Sequence, residues 1–131
     1  MSATVTPFLM FQGQAEAAMQ RYLSLFPDGR ILKIVRRPPA GGQKVGSVLL
    51  AKFTIGGQTI LCSDSDVQHA FTFTPSSSLF VDFDSESEQI RVLDALRVGG
   101  VLLMELANYG FSRQFAWLND EFGVSWQLNL P

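Results

Sequence analysis

Few side chains in this 131-residue sequence are suited to chemistry, and they are thinly spread. The one histidine, His69, precedes an aromatic stretch, Phe71-Thr72-Phe73-Thr74-Pro75. An imidazole titrates near neutrality and would serve there as a general base or substrate contact. The alternative is a hydrogen-bonding residue that fixes a loop. Cys62, the one cysteine, alternates with Leu61 and Ser63 in a strand pattern that turns it, with Ile60, toward the buried side. That placement makes an inert thiol rather than a nucleophile. A lone cysteine allows neither an intrachain disulfide nor a thiolate-rich metal site. Asp84, Glu86 and Glu88 cluster where a helix begins, so the helix dipole accounts for them without paired-carboxylate catalysis.

A denser pattern closes the chain. Residues 115–130, FAWLNDEFGVSWQLNL, read as two alternating segments around an Asn/Asp/Gly turn. Alternation places Val124, Trp126, Leu128 and Leu130 on one face and Ser125, Gln127 and Asn129 on the other. The first face is core. The second either lines a cavity or faces water. Trp117, Trp126, Phe8, Phe80 and Phe115 are the aromatic residues that would stack on a planar ligand; Trp126 is core by strand parity, and Phe8, Met10 and Phe80 face the cavity if Gln127 does. Six of the ten basic residues, Arg30, Lys33, Arg36, Arg37, Lys44 and Lys52, fall between positions 30 and 52. Such a cluster would steer an anionic ligand, or it protects a sheet edge from aggregation.

The elements that must position these residues follow from periodicity. Residues 5–11 are apolar on both faces, as a buried strand is. Ala15, Ala18, Met19, Tyr22, Leu23 and Phe26 recur at helical spacing until Pro27-Asp28-Gly29 stops them. A strand over 30–37 leads to a loop by composition at 38–44. Strands over 47–55 and 58–63 are joined at Gly56-Gly57, a hairpin signal, and a polar, aromatic connection fills 64–77. The pattern then restarts with a strand over 79–83. A helix follows, with Ser85 and Glu88 at capping-box spacing, apolar Ile90, Leu93 and Leu96, and a Gly99-Gly100 stop. A strand over 101–106 precedes the closing hairpin. The order βαβββ thus occurs twice, offset by roughly seventy residues. The expected fold is α+β: two tandem βαβββ modules forming a cupped mixed sheet with helices on the convex side. The expected organisation is a single domain over 1–131, with module one over 4–66, a linker at 67–77 and module two over 78–131.

An apolar fraction of 47% and a charged fraction of 17% exclude general disorder. A net charge of −2 and a pI near 5.2 argue against a nucleic-acid partner. No apolar run has the length of a membrane span, and Met1-Ser2-Ala3-Thr4 does not open a secretory signal, so a cytoplasmic location is expected.

Three stretches, PFLMFQGQAEAAMQRYLSLFPDGRI (7–31), HAFTFTPSSSLFVDF (69–83) and WLNDEFGVSWQLNL (117–130), together resemble the PhnB-like branch of the vicinal oxygen chelate superfamily. That superfamily includes glyoxalase I, bleomycin-resistance proteins and extradiol dioxygenases, and this branch often carries the label 3-demethylubiquinone-9 3-methyltransferase. The resemblance implies paired βαβββ modules, a homodimer, and a site inside the cupped sheet. It also implies divalent-metal ligands on the first and last strand of each module, near Thr6, Leu61, Ser78 and Gln127. Only Gln127 offers a useful donor there, since such cations need charged or strongly polar ligands; a register error would restore one donor from Ser63, Asp64 or His69, but not three. The methyltransferase label meets a similar difficulty. Adenosyl donors are usually held by a glycine-rich turn between a parallel strand and a helix, and no G-x-G occurs here.

The resulting expectation is a small-molecule binding protein without the family-type metal and with no cofactor. Its cup-lining candidates are Phe8, Met10, Ser63, His69, Ser78, Phe80, Asp82, Ser125 and Gln127. The competing reading is a superfamily enzyme of lyase, isomerase or dioxygenase type, which needs His69, Asp82 or Gln127 to converge. A dimeric structural module is the third reading, and it needs the cup to be filled by side chains.

Overall fold

The computed structural model describes residues 2–38 and 46–131. The loop expected over 38–44 lies outside the described residues from position 39 onward, Lys44 included. The chain forms two compact units, Met1–His69 and Ala70–Pro131.

The first unit contains β1 (Phe8–Phe11), α1 (Ala15–Leu25), β2 (Arg30–Arg36), β3 (Val48–Ile55) and β4 (Gln58–Asp64). Its sheet has the order β1-β4-β3-β2, with β1 parallel to β4 and the other pairs antiparallel. Ala15, Ala18, Met19, Tyr22 and Leu25 are buried along one side of α1, the three- and four-residue spacing of a core-facing stripe. Leu25, rather than Leu23, completes that stripe. It covers Ala51, Phe53, Ile60 and Cys62 of β3 and β4, all buried, with the Tyr22 and Phe53 rings 6.4 Å apart. The opening strand departs from expectation. It is shorter than residues 5–11 and lies at the sheet edge, with Phe8 50% exposed and Val5 outside it at 91%. Apolarity on both faces marked an edge strand here, not a central one. The Gly56-Gly57 turn forms as predicted, with φ of +55° and +81°, and both its N–H groups donate to the Asp28 carboxylate at 3.0 and 2.9 Å.

The second unit repeats the plan with β5 (Leu79–Asp82), α2 (Glu86–Leu96), β6 (Val101–Ala107), β7 (Gln114–Asn119) and β8 (Ser125–Leu130). The strand order is β5-β8-β7-β6, again with one parallel pair, β5 and β8. The Glu88 N–H donates to the Ser85 hydroxyl at 3.3 Å, as the capping-box spacing predicts. The Glu88 carboxylate turns away to Arg91 instead of closing the box. The buried side of α2 consists of Gln89, Val92, Leu93 and Leu96, packed on β7 and β8. Gln89 was not expected in the core. The nitrogen of its amide is accommodated there because Nε2 donates to the carbonyls of Gln114 and Leu128, both at 3.1 Å.

Both units are therefore the same mixed α+β plan, a helix on one face of a four-stranded sheet. They also share an irregularity: pairing shifts register between Ile31 and Lys33 in β2, and between Leu102 and Met104 in β6.

Candidate functional site

In each unit the helix packs on one sheet face, and the other face carries the residues expected to bind, His69 excepted. Cross-strand partners share a face, so the pairing defines rows. In the first sheet Phe8, Leu61, Lys52 and Lys33 form one row across all four strands. In the second sheet Phe80, Gln127, Trp117 and Met104 form the corresponding row. Both rows lie opposite the helix, because they alternate with the buried residues beneath it. Each begins at an exposed phenylalanine, Phe8 at 50% and Phe80 at 53%.

Hydrogen bonds flank the second row on both sides. The Ser78 and Ser125 hydroxyls lie 2.7 Å apart, and Trp117 Nε1 donates to the Ser125 hydroxyl at 2.9 Å. On the other side, Asn129 Nδ2 donates to Asp82 Oδ1 at 2.8 Å. The polar row of β8 is therefore mostly buried rather than solvated: Ser125 is 1% and Asn129 8% exposed, while Gln127 stays half-buried. The Gln127 side chain makes no hydrogen bond to the described residues. Beside it, the Phe115 ring gathers Phe80 at 6.3 Å, Tyr109 at 6.1 Å and Phe111 at 5.0 Å.

Of the sequence-predicted residues, Ser78, Phe80, Asp82, Ser125 and Gln127 share the helix-free face of the second sheet. Phe8, Met10 and Ser63 share that of the first, with Met10 paired to Ser63. His69 lies on neither. It follows β4 in a loop, where its Nε2 is 2.8 Å from the Ser65 hydroxyl and its N–H donates to Gln12 Oε1 at 3.4 Å.

Two buried carboxylates organise the surroundings, and local sequence announced little of their role. Asp64, 3% exposed, accepts the N–H groups of Gly13 and Ala15 on Oδ1 and of Val48 on Oδ2, each at 2.9 Å. It thereby caps α1 from the far end of β4. Asp120, 5% exposed, accepts the Phe122 and Val124 N–H groups and Trp126 Nε1 at 2.9, 3.0 and 2.9 Å. The only hint was an Asp in a turn, and its reach to an indole six residues on is set by the fold. Cys62 is fully buried; that burial, reinforced by the Asp64 charge, pushes its thiol up to about 12.

The family resemblance puts divalent-metal ligands near Thr6 and Leu61 in the first unit and near Ser78 and Gln127 in the second. These residues do not fit a divalent ion. Leu61 has no donor, Ser78 is committed to Ser125, and a threonine hydroxyl or a neutral amide alone is a weak donor for a hard cation. Among the described residues no three His, Cys, Asp or Glu side chains come together.

Two repeated βαβββ units with a helix-free sheet face in each define the class of glyoxalase and bleomycin-resistance folds. Within that class the chain belongs to the PhnB-like 3-demethylubiquinone-9 3-methyltransferase family, whose sequence profile matches residues 3–129. A PhnB protein from Bacillus cereus with the same family description is 48% identical, over 98% of this chain and 100% of that one, with a TM-score of 0.94. A Pseudomonas aeruginosa protein is 24% identical, with 98% of each chain covered and a TM-score of 0.84. A glyoxylase/bleomycin resistance protein/dioxygenase domain from Frankia sp. shares the fold at 15% identity, over 99% and 98% of the chains, with a TM-score of 0.66. No curated protein matches the chain.

Proposed function

We propose that this protein binds a small organic molecule on its helix-free sheet faces, without the metal of the wider superfamily and without methyl transfer. The observation that carries this reading is the second row. Exposed Phe80 and the uncommitted amide of Gln127 sit between the Ser78–Ser125–Trp117 and Asp82–Asn129 hydrogen bonds. Polar groups fixed in advance around an apolar contact surface are what an orienting small-molecule site requires. Phe8, Met10 and Ser63 stand on the corresponding face of the first unit, while His69 lies in the loop after β4, held by Ser65 and Gln12.

The turn between β1 and α1 argues against a methyl donor of the adenosyl type. Its Gly13 and Ala15 N–H groups, which would be free to face the carboxylate of such a donor, are already taken by Asp64. The edge strands β1, β2, β5 and β6 leave unpaired backbone groups, and we read the working form as a homodimer. The single cysteine, buried and unpaired, is in keeping with a cytoplasmic protein.

Native mass spectrometry of freshly purified protein tests the binding reading, with a co-purifying small molecule expected. The variants Gln127→Ala and Trp126→Ala then separate site from scaffold. Trp126 is fully buried and held by Asp120, so its truncation is expected to cost about 3–5 kcal/mol of stability. Gln127→Ala is expected to leave the melting temperature nearly unchanged and to weaken retention of the bound molecule by about tenfold. If Gln127→Ala melts as low as Trp126→Ala, Gln127 is part of the scaffold and the reading fails.

A further inference from the structure

We infer that the first sheet binds an oxyanion, the carboxylate or phosphate monoester of a molecule with an apolar body, between Lys33 and Lys52. This deepens the small-molecule reading, and rests on it only in taking the ligand to be small and organic.

Lys33 and Lys52 are direct cross-strand partners on the face away from α1. Both are exposed, and neither side chain pairs with any described residue. Like charges placed opposite each other disfavour a sheet, so the arrangement calls for a reason. Edge protection explains a lysine on β2, which is an edge strand, but not one on β3, which is interior. The backbone does not require it either, since the equivalent pair in the second sheet is Met104 and Trp117.

Among the described residues no carboxylate shares the face. By pairing, its other members are Phe8, Met10, Arg30, Val35, Leu50, Thr54, Thr59, Leu61 and Ser63. The acids of this unit are placed elsewhere. Glu16 pairs with Arg36, Asp28 holds the Gly56-Gly57 turn, and Asp64 holds the amides of Gly13, Ala15 and Val48. Asp66 lies in the loop beyond β4. Charge is divided accordingly: residues 1–69 hold seven Lys and Arg against four Asp and Glu, while 70–131 hold three against eight. The two ammonium groups supply the charge-assisted hydrogen bonds that an oxyanion needs. Leu61 and Phe8, next along the same row, supply the apolar contact for the rest of the molecule.

Calorimetric titration of the full-length protein with phenyl phosphate, benzoate and inorganic phosphate tests the inference. Phenyl phosphate or benzoate should bind, whichever is tighter naming the acid group, and inorganic phosphate should bind more weakly because it lacks the apolar body. Lys33→Gln and Lys52→Gln should each raise the dissociation constant about tenfold. Arg97→Gln, a charge change in the other unit, should leave it unaltered. Neither lysine variant should lower the melting temperature, since each removes a repulsion. Unchanged affinity in both lysine variants, an equal loss in Arg97→Gln, or no binding of either aromatic acid overturns the proposal. So does loss of a homodimer in the lysine variants, because the occupant would then be a second copy. Retention of a co-purifying neutral molecule alongside any of these results would sink the oxyanion and spare the small-molecule reading.

Discussion

At Cys62 burial decides the chemistry of a single side chain. Its thiol is pushed up to about 12, first by burial and then by the Asp64 charge. The folded chain keeps a proton that the unfolded chain releases in the ordinary thiol range. The contribution to stability is therefore complete below that range and is lost as pH rises through it toward about 12. Native protein should resist a thiol reagent at pH 8 and expose one reactive thiol per chain in denaturant; prompt labelling without denaturant would contradict the assignment. Glu16 shows the opposite sign. The hydrogen bond from Arg36 holds its carboxyl below the usual range, so that small contribution is present above the ordinary carboxylate range and fades on acidification. The pair is about half solvated, which keeps the effect weak. Strand parity alone made the burial of Cys62 and Trp126 legible. The roles of Asp64 and Asp120 were not, because an acceptor for distant amides is defined by where the chain returns and not by its neighbours in sequence.

At the level of elements, the joint between α2 and β6 is the most constrained. Gly99 has φ of +76°, and a Cβ on Gly100 would stand 2.3 Å from the Asn119 carbonyl oxygen. Backbone cannot yield there as a flexible side chain could, so Gly100→Ala should cost about 2 kcal/mol or more, read as a lower urea midpoint. A midpoint within error of the parent would show that the joint relaxes. Gly110→Ala is a useful comparison, because it carries a positive φ of +100° with nothing within 4 Å of the added Cβ. Elements of this kind were readable in outline, since helical and strand periods differ and Gly-Gly pairs mark stops. The buried amide of Gln89 was missed because polarity hides a core position until its two carbonyl partners are in view. Register was also out of reach. Parity assigns Lys33 and Lys52 to faces, but only the pairing shows that they oppose each other.

For the whole molecule, the repeated βαβββ order was legible although side-chain identities barely recur. The family resemblance rested on stretches that the match over 3–129 confirms. Light scattering at micromolar concentration should give the mass of a homodimer, following from the edge strands that each unit leaves unpaired. A monomer mass would remove that proposal and leave the binding faces to be tested independently. The candidate site was legible only as a set of faces, because a chain of this length fixes which residues turn away from a helix long before it fixes what they meet.

The register shifts at Ile31–Lys33 and Leu102–Met104 fall at equivalent points, so the rows they help to align occupy matching backbone frames. A local shift of this kind re-aims a side chain without disturbing the strands around it. Each unit is in that sense a socket with the same fitting. Lys33, Lys52 and Leu61 in one, and Met104, Trp117 and Gln127 in the other, are exchangeable inserts. Grafting one trio into the other socket should carry the proposed charge preference with it, at the cost of the Trp117–Ser125 hydrogen bond, which makes a single chain its own matched control for engineering recognition.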